Sequence, residues 1–399
     1  MSKSKLYGLK RPDRKATVEL EEASFEDKLK TAYSVWLTTL PPLKRLPDQW
    51  KEEYVNVARK IISPFKDGIK KAITDKDFDF TLVEPARIIS DGFFIGQSYH
   101  TSHEYNVASL FMDALLHEGA EELSLNGFPT TLYYLCNGLA KKTIKIGKGT
   151  KAYSVGEKAK DCMLSNSGEV THLGNEATDC DISNSGKAEY LGHNAKSCNI
   201  LNSANAGDTG DNASESILLN IGKIVGGSSL LGEGGNRCTI YNSGEVGSGI
   251  GKYAEESTVI NKGTGNSMGD NAGRCSIVNC GKLAMSLGHD AQYNTIIDLG
   301  KSYQIGGGDS RGNVMVCRPP EKYRKEPPRG PANKHLNWFV GPDDMKGDDI
   351  LNGLLDVMEG YGNGIKTIKK ADAAAKEINE LAREVHRHVC RKYQPRKVA

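Results

Sequence analysis

One phrase recurs along the middle of the chain and leaves few folds open to it. Its clearest copies are LGNEATDCDISNSG, Leu173 to Gly186, and LGHNAKSCNILNSA, Leu191 to Ala204. Anchored on the glycine after the apolar residue, the copies start at Gly156, Gly174, Gly192, Gly210, Gly232, Gly251, Gly269, Gly288 and Gly306, in steps of 18, 18, 18, 22, 19, 18, 19 and 18. A fixed period near 20 is the mark of a solenoid, in which each repeat buries its apolar face only against its neighbours.

Within each copy one arc keeps its length. Six residues after the anchor stands a small residue: Cys162, Cys180, Cys198, Ser216, Cys238, Ser257, Cys275 or Asn294. Four further on comes Asn166, Asn184, Asn202, Asn220, Asn242, Asn261, Asn279 or Asp298, and two beyond that a glycine, except at Ala204. Asn and Gly tolerate φ > 0, so Asn-x-Gly reads as turn chemistry between short strands. Stacked at ~4.8 Å, the asparagines would hydrogen-bond along their column. The expected fold is mainly β: a parallel β-solenoid of about nine or ten coils of about 18 residues, right-handed by preference, flanked by helical segments at both ends. The expected order is a basic tail over 1–22, helices over 23–121, the solenoid over 122–317, a proline-rich basic linker over 318–335, and a helical segment with a basic end over 336–399.

Length changes are confined to the other arc. The widest, ten residues from Gly222 to Gly232, contains Lys223, Val225, Ser228 and Leu230 and predicts an exposed contact loop.

In the N-terminal part, helical spacing runs from Ser24 to Leu40, resumes from Pro47 to Ile62, and returns from Ser102 to Glu118, with a strand near Phe80 to Val83 between. His100, His103, Glu104, His117 and Glu118 are the only metal-like set. His103 and His117 are fourteen residues apart, about 21 Å along a helix, so one ion cannot use both. At the other end, Ile368, Ala371, Ala375, Ile378, Leu381, Ala382, Val385 and Val389 form one apolar stripe, fit to dock on the solenoid or to pair with a second copy. Its basic end carries Arg383, Arg387, Arg391 and Lys392, candidate contacts for an anionic partner.

Nine cysteines, five in one register, read as small buried fillers kept as thiols. With no signal-peptide core and no run of roughly 18 apolar residues, a cytoplasmic protein is expected. Net charge is +2, so global charge forces no nucleic-acid partner. His172, His193 and His289 have no recurring carboxylate beside them in the sequence, and nothing calls for a cofactor, a metal or a catalytic set.

Asn126-Gly127, Asn137-Gly138, Ile144-Lys-Ile146-Gly147 and Val155-Gly156 together resemble the glycine-rich β-helix domain called GXGXG, found in glutamate synthase and in formylmethanofuran dehydrogenase. The resemblance spans roughly Leu123 to Val316 and implies a structural part of an assembly; no functional residue carries over. The sequence therefore points to a non-catalytic scaffold that binds a protein partner or itself. The alternatives are a nucleic-acid- or ribosome-associated protein using its basic tails and, more weakly, an enzyme with a site between the N-terminal helices and the first coil.

Overall fold

The computed structural model describes residues 24–39, 50–77, 88–89, 105–128, 131–226, 228–307, 309–318, 336–361, 365–393 and 396–397. The N-terminal basic tail, the strand expected near Phe80, the residues His100, His103 and Glu104, and the linker beyond Arg318 lie outside them.

The chain forms a parallel β-solenoid of about 11 coils, slightly more than the sequence suggested. Its main wall is a 14-stranded sheet, beside an 8-stranded and a 4-stranded one. The register follows the repeat. Asn166, Asn184, Asn202, Asn220, Asn242, Asn261 and Asn279 are paired rung by rung, ending on Asp298. The wall extends past the repeat at both ends. Ala72–Thr74 pairs in parallel with Glu122–Leu125, and Leu336–Val340 pairs in parallel with Val314–Cys317. At ~4.8 Å per rung the parallel wall is roughly 58 Å long.

Local chemistry explains why these residues build coils. In the coils anchored from Gly156 to Gly288 the anchor and the residues two and five places on have positive φ; in the Gly192 coil these are Gly192, Asn194 and Ser197. Side chains dislike this region by about 1–2 kcal/mol per residue, and the corners are held by bonds to the next coil, Asn194 N–H to Asp211 O at 2.8 Å and Ser197 N–H to Ser214 O at 2.9 Å. Gly192 is required twice over, since a Cβ there would also run into the Ile200 side chain. The glycine two after each Asn has a different reason. At Gly244 the N–H donates to Asn242 Oδ1 at 3.1 Å, and a Cβ would strike the carbonyl oxygen of Gly222 one coil back.

The interior is filled by Leu164, Ile182, Ile200, Leu218, Ile240, Val259, Ile277 and Ile296, all essentially inaccessible. The cysteine column stacks as expected. Cys162 N–H points at Cys180 Sγ (3.2 Å) and Cys180 N–H at Cys198 Sγ (3.3 Å), and all nine cysteines are free. Burial raises the Cys238 thiol pKa, and pushes Cys275 up to about 11, which suits inert filler.

Five helices flank the coils among the described residues: α1 (Phe25–Thr39), α2 (Trp50–Ile62), α3 (Val107–Glu118), α4 (Asp349–Gly360) and α5 (Ile368–Lys392). The first three share the solenoid's own core, through Leu29, Tyr33, Ala58, Ile62, Phe111 and Leu115. The third helix expected over roughly Ser102 to Glu118 is α3; it starts at Val107, and residues 105–106 before it are a strand.

The long helix α5 docks along the outside of the wall, over strands from Asn199–Asn202 to Leu336–Val340. Between the two expected uses of its stripe, docking is the one observed. The outward position of the strands changes to match. It is Lys145, Ser165 and Ser183 in the uncovered coils, then Leu201, Leu219, Tyr241, Ile260, Val278, Ile297 and Val316 beneath the helix. Ile378, Val385 and Val389 pack there at no exposure, each worth ~1.5–3 kcal/mol by burial.

Candidate functional site

Alongside that second core, α5 and the solenoid leave a polar groove of about 560 Å³. One side presents Asn379, Arg383, His386 and Arg387, whose spacing places them on a single side of the helix, next to the buried stripe. The opposite side presents the corner and first-strand residues of successive coils: Glu256, Thr258, Arg274, Ser276, Tyr293 and Thr295. Two hydrogen bonds fix the floor. Ser276 Oγ donates to Asn379 Oδ1 at 2.7 Å, and Thr295 Oγ1 lies 3.0 Å from His386 Nδ1. Burial lowers the His386 pKa, favouring the neutral ring. Arg274 is braced by Glu255 at 3.0 Å and Glu256 at 3.1 Å.

The four basic residues singled out in the sequence separate here. Arg383 and Arg387 enter the groove, Arg391 is exposed outside its lining, and Lys392 is drawn away to Asp348 at 3.0 Å. Asp348 is a hub with 2% exposure: it caps α4 through Leu351 N–H and also receives Tyr393 Oη and His388 Nε2. Burial alone would raise its pKa, but the bonds from Tyr393, His388, Leu351 N–H and Lys392 hold it well below the usual carboxylate range. Arg274, Asn379 and Thr295 were not foreseen, because their meeting depends on where α5 docks.

The long loop after Gly222 sits on the 8-stranded sheet. Lys223 is in a strand and pairs with Glu245 at 3.0 Å, while Val225 and Ser228 are exposed as expected. Leu230 corrects the expectation: it is only 7% exposed, and its N–H donates to Asp208 Oδ1 at 3.0 Å. The loop folds down over Asp208 and does not stand clear of the surface, because the carboxylate accepts from its backbone.

An aromatic column climbs the same sheet toward this loop. Tyr133 stacks on Tyr153 at 5.9 Å, Tyr153 meets His172 edge-on at 5.1 Å, and His172 lies flat on Tyr190 at 4.9 Å. Tyr190 is paired in register with Asp208. Beside it the residues directly after three anchors leave polar atoms unpaired in the protein: Asn175 Oδ1, His193 Nδ1 and Asp211 Oδ1. Burial first, then Asp208 and Glu233, push the Asp211 carboxyl up to about 7.

Of the solenoid histidines, His289 places Nδ1 3.0 Å from Oδ2 of its sequence neighbour Asp290, within one tight corner. Of the metal-like set, Glu118 is spent on Arg59 Nε at 2.6 Å, and among the described residues no three potential ligands converge. The junction of α3 with the first coil is tightly tied: Ser109 Oγ and Asp113 Oδ1 accept the N–H groups of Tyr133 and Cys136. No described helix is long and apolar enough to cross a membrane.

No protein-family model, curated protein or solved structure matches the chain.

Proposed function

We propose that the chain is a non-catalytic scaffold whose partner, a protein, docks on the 8-stranded face. The observation that carries this reading is the half-exposed column of Tyr133, Tyr153, His172 and Tyr190, which ends beside the loop bearing exposed Val225 and Ser228. Tyrosines held rigid by stacking offer contact area at little entropic cost, and protein interfaces are enriched in them. A scaffolding role is also what the GXGXG resemblance implies. The polar side chains of the asparagine and cysteine columns are occupied in holding coils together, which leaves them no catalytic task.

The test is affinity purification of the full chain from its native source, beside a Tyr153→Ser/Val225→Ser variant. The scaffold reading expects a stoichiometric protein that the variant fails to retain. Retention by the variant, or co-elution of nucleic acid alone, would remove this face from the account. The nucleic-acid reading is weakened by the loss of Lys392 to Asp348. The enzyme reading gains nothing from the α3 junction, where Ser109 and Asp113 support backbone.

A further inference from the structure

The groove beside α5 lies away from the aromatic face and carries positive charge that the fold does not use. Arg274 is neutralised by Glu255 and Glu256, and Glu256 is further engaged by Arg237 at 3.5 Å. Arg383 and Arg387 have no such relief. Four residues apart on one helix face, they repel each other. Glu380 and Glu384 share the helix, yet among the described residues no carboxylate forms an ion pair with either arginine. Arg387 Nε lies 3.4 Å from the carbonyl oxygen of Arg383, so it is the guanidinium's Nη donors that are left for a ligand.

We propose that this groove binds a small phosphate monoester, gripped by Arg383 and Arg387. Guanidinium forks match phosphate oxygens two at a time, and two of them bring the charge a dianion needs. The volume, about 560 Å³, falls in the ~300–1,000 Å³ range of small-molecule sites. Thr258, Ser276 and Thr295 of three successive coils line the same space, the hydroxyls of Ser276 and Thr295 being engaged with Asn379 and His386 of the helix that carries the arginines. Tyr293, 60% exposed with the Arg311 guanidinium 5.9 Å from its ring centre, supplies an aromatic surface for the organic part. Binding would relieve the Arg383–Arg387 repulsion, so ligand and helix docking support each other.

Isothermal titration of the full chain with adenosine monophosphate, inorganic phosphate and adenosine tests the proposal. The monophosphate should bind, inorganic phosphate more weakly, and adenosine not at all. Arg383→Ala/Arg387→Ala should lower the affinity for the monophosphate at least tenfold with the melting temperature retained, and Arg383→Lys/Arg387→Lys should recover part of it. Absence of binding by both phosphates, or unchanged affinity in the double alanine variant, would overturn the site. Binding of a single-stranded oligonucleotide without binding of the monophosphate would overturn it too, pointing to an open nucleic-acid surface. None of these outcomes depends on the partner proposed for the aromatic face.

Discussion

The column from Asn166 to Asp298 and the shorter column of Asn175, His193 and Asp211 stack in the same solenoid, yet they differ in what each side chain finds one rung away. In the first, each Nδ2 donates to the next Oδ1 at 2.8–2.9 Å, without a break through seven steps. In the second, an amide, an imidazole and a carboxyl follow one another, and each keeps a buried atom unpaired. Stacking by itself satisfies nothing. An amide ladder closes because one residue type is both donor and acceptor at the same height, and a mixed column has no such guarantee. Asparagine sits in both, so residue type alone does not decide which outcome follows.

The largest expected effect breaks the closed column. Asn184 takes part in four bonds: from Asn166 Nδ2, from Gly186 N–H, and to Asn202 Oδ1 and Asn205 O. Asn184→Ala leaves several buried groups without partners, at about 3 kcal/mol of unfolding free energy in urea. Next comes Asp348, the satisfied counterpart of Asp211. Asp348→Ala should cost about 2 kcal/mol by removing the cap of α4 and its tie to α5, visible as faster hydrogen exchange in both helices. Because the folded pKa of Asp348 is depressed, its contribution is present above about pH 4 and fades only as pH falls through the folded value.

Asp211 should behave with the opposite sign. Its carboxyl titrates at about 7 in the folded chain against about 3.9 unfolded, so the folded state holds the extra proton between those values. Stability therefore falls as pH rises through that window. Asp211→Asn should raise stability at pH 8 by about 1 kcal/mol, a discounted figure because the side chain keeps some solvent access, and should flatten the pH slope of the melting temperature. The smallest effect belongs to Val225→Ser, where a side chain 44% exposed should change stability by less than about 0.5 kcal/mol, whatever it does to partner binding.

How much of this was legible in the sequence follows the same division. The closed column could be read residue by residue, Asn166 to Asp298, because a ladder requires one residue type at one offset. The cysteine column was equally plain, although its continuation through Asn313 and Asn337 was not; Asn294 N–H bonds Asn313 Oδ1 at 2.9 Å, and Asn313 N–H bonds Asn337 Oδ1 at 3.0 Å. The rungs at Ala72–Thr74 and Leu336–Val340 were missed as part of the stack, since an end rung needs only a backbone edge to pair with and carries none of the turn residues. The docking site of α5 did leave a trace, the change from Ser183 to Leu201 and Leu219 at one strand position. Of the groove only Arg383 and Arg387 were marked, and its other wall was not. Arg274 and Arg383 are more than a hundred positions apart, and only the docked helix brings them to one cavity.

The most direct test sets one variant from each column side by side. Equilibrium urea unfolding of Asn184→Ala and His193→Ala, at one pH and against the parent chain, compares a paired rung with an unpaired one. The account predicts a clear drop in midpoint for Asn184→Ala and an unchanged or raised midpoint for His193→Ala. Equal losses in the two variants would contradict it.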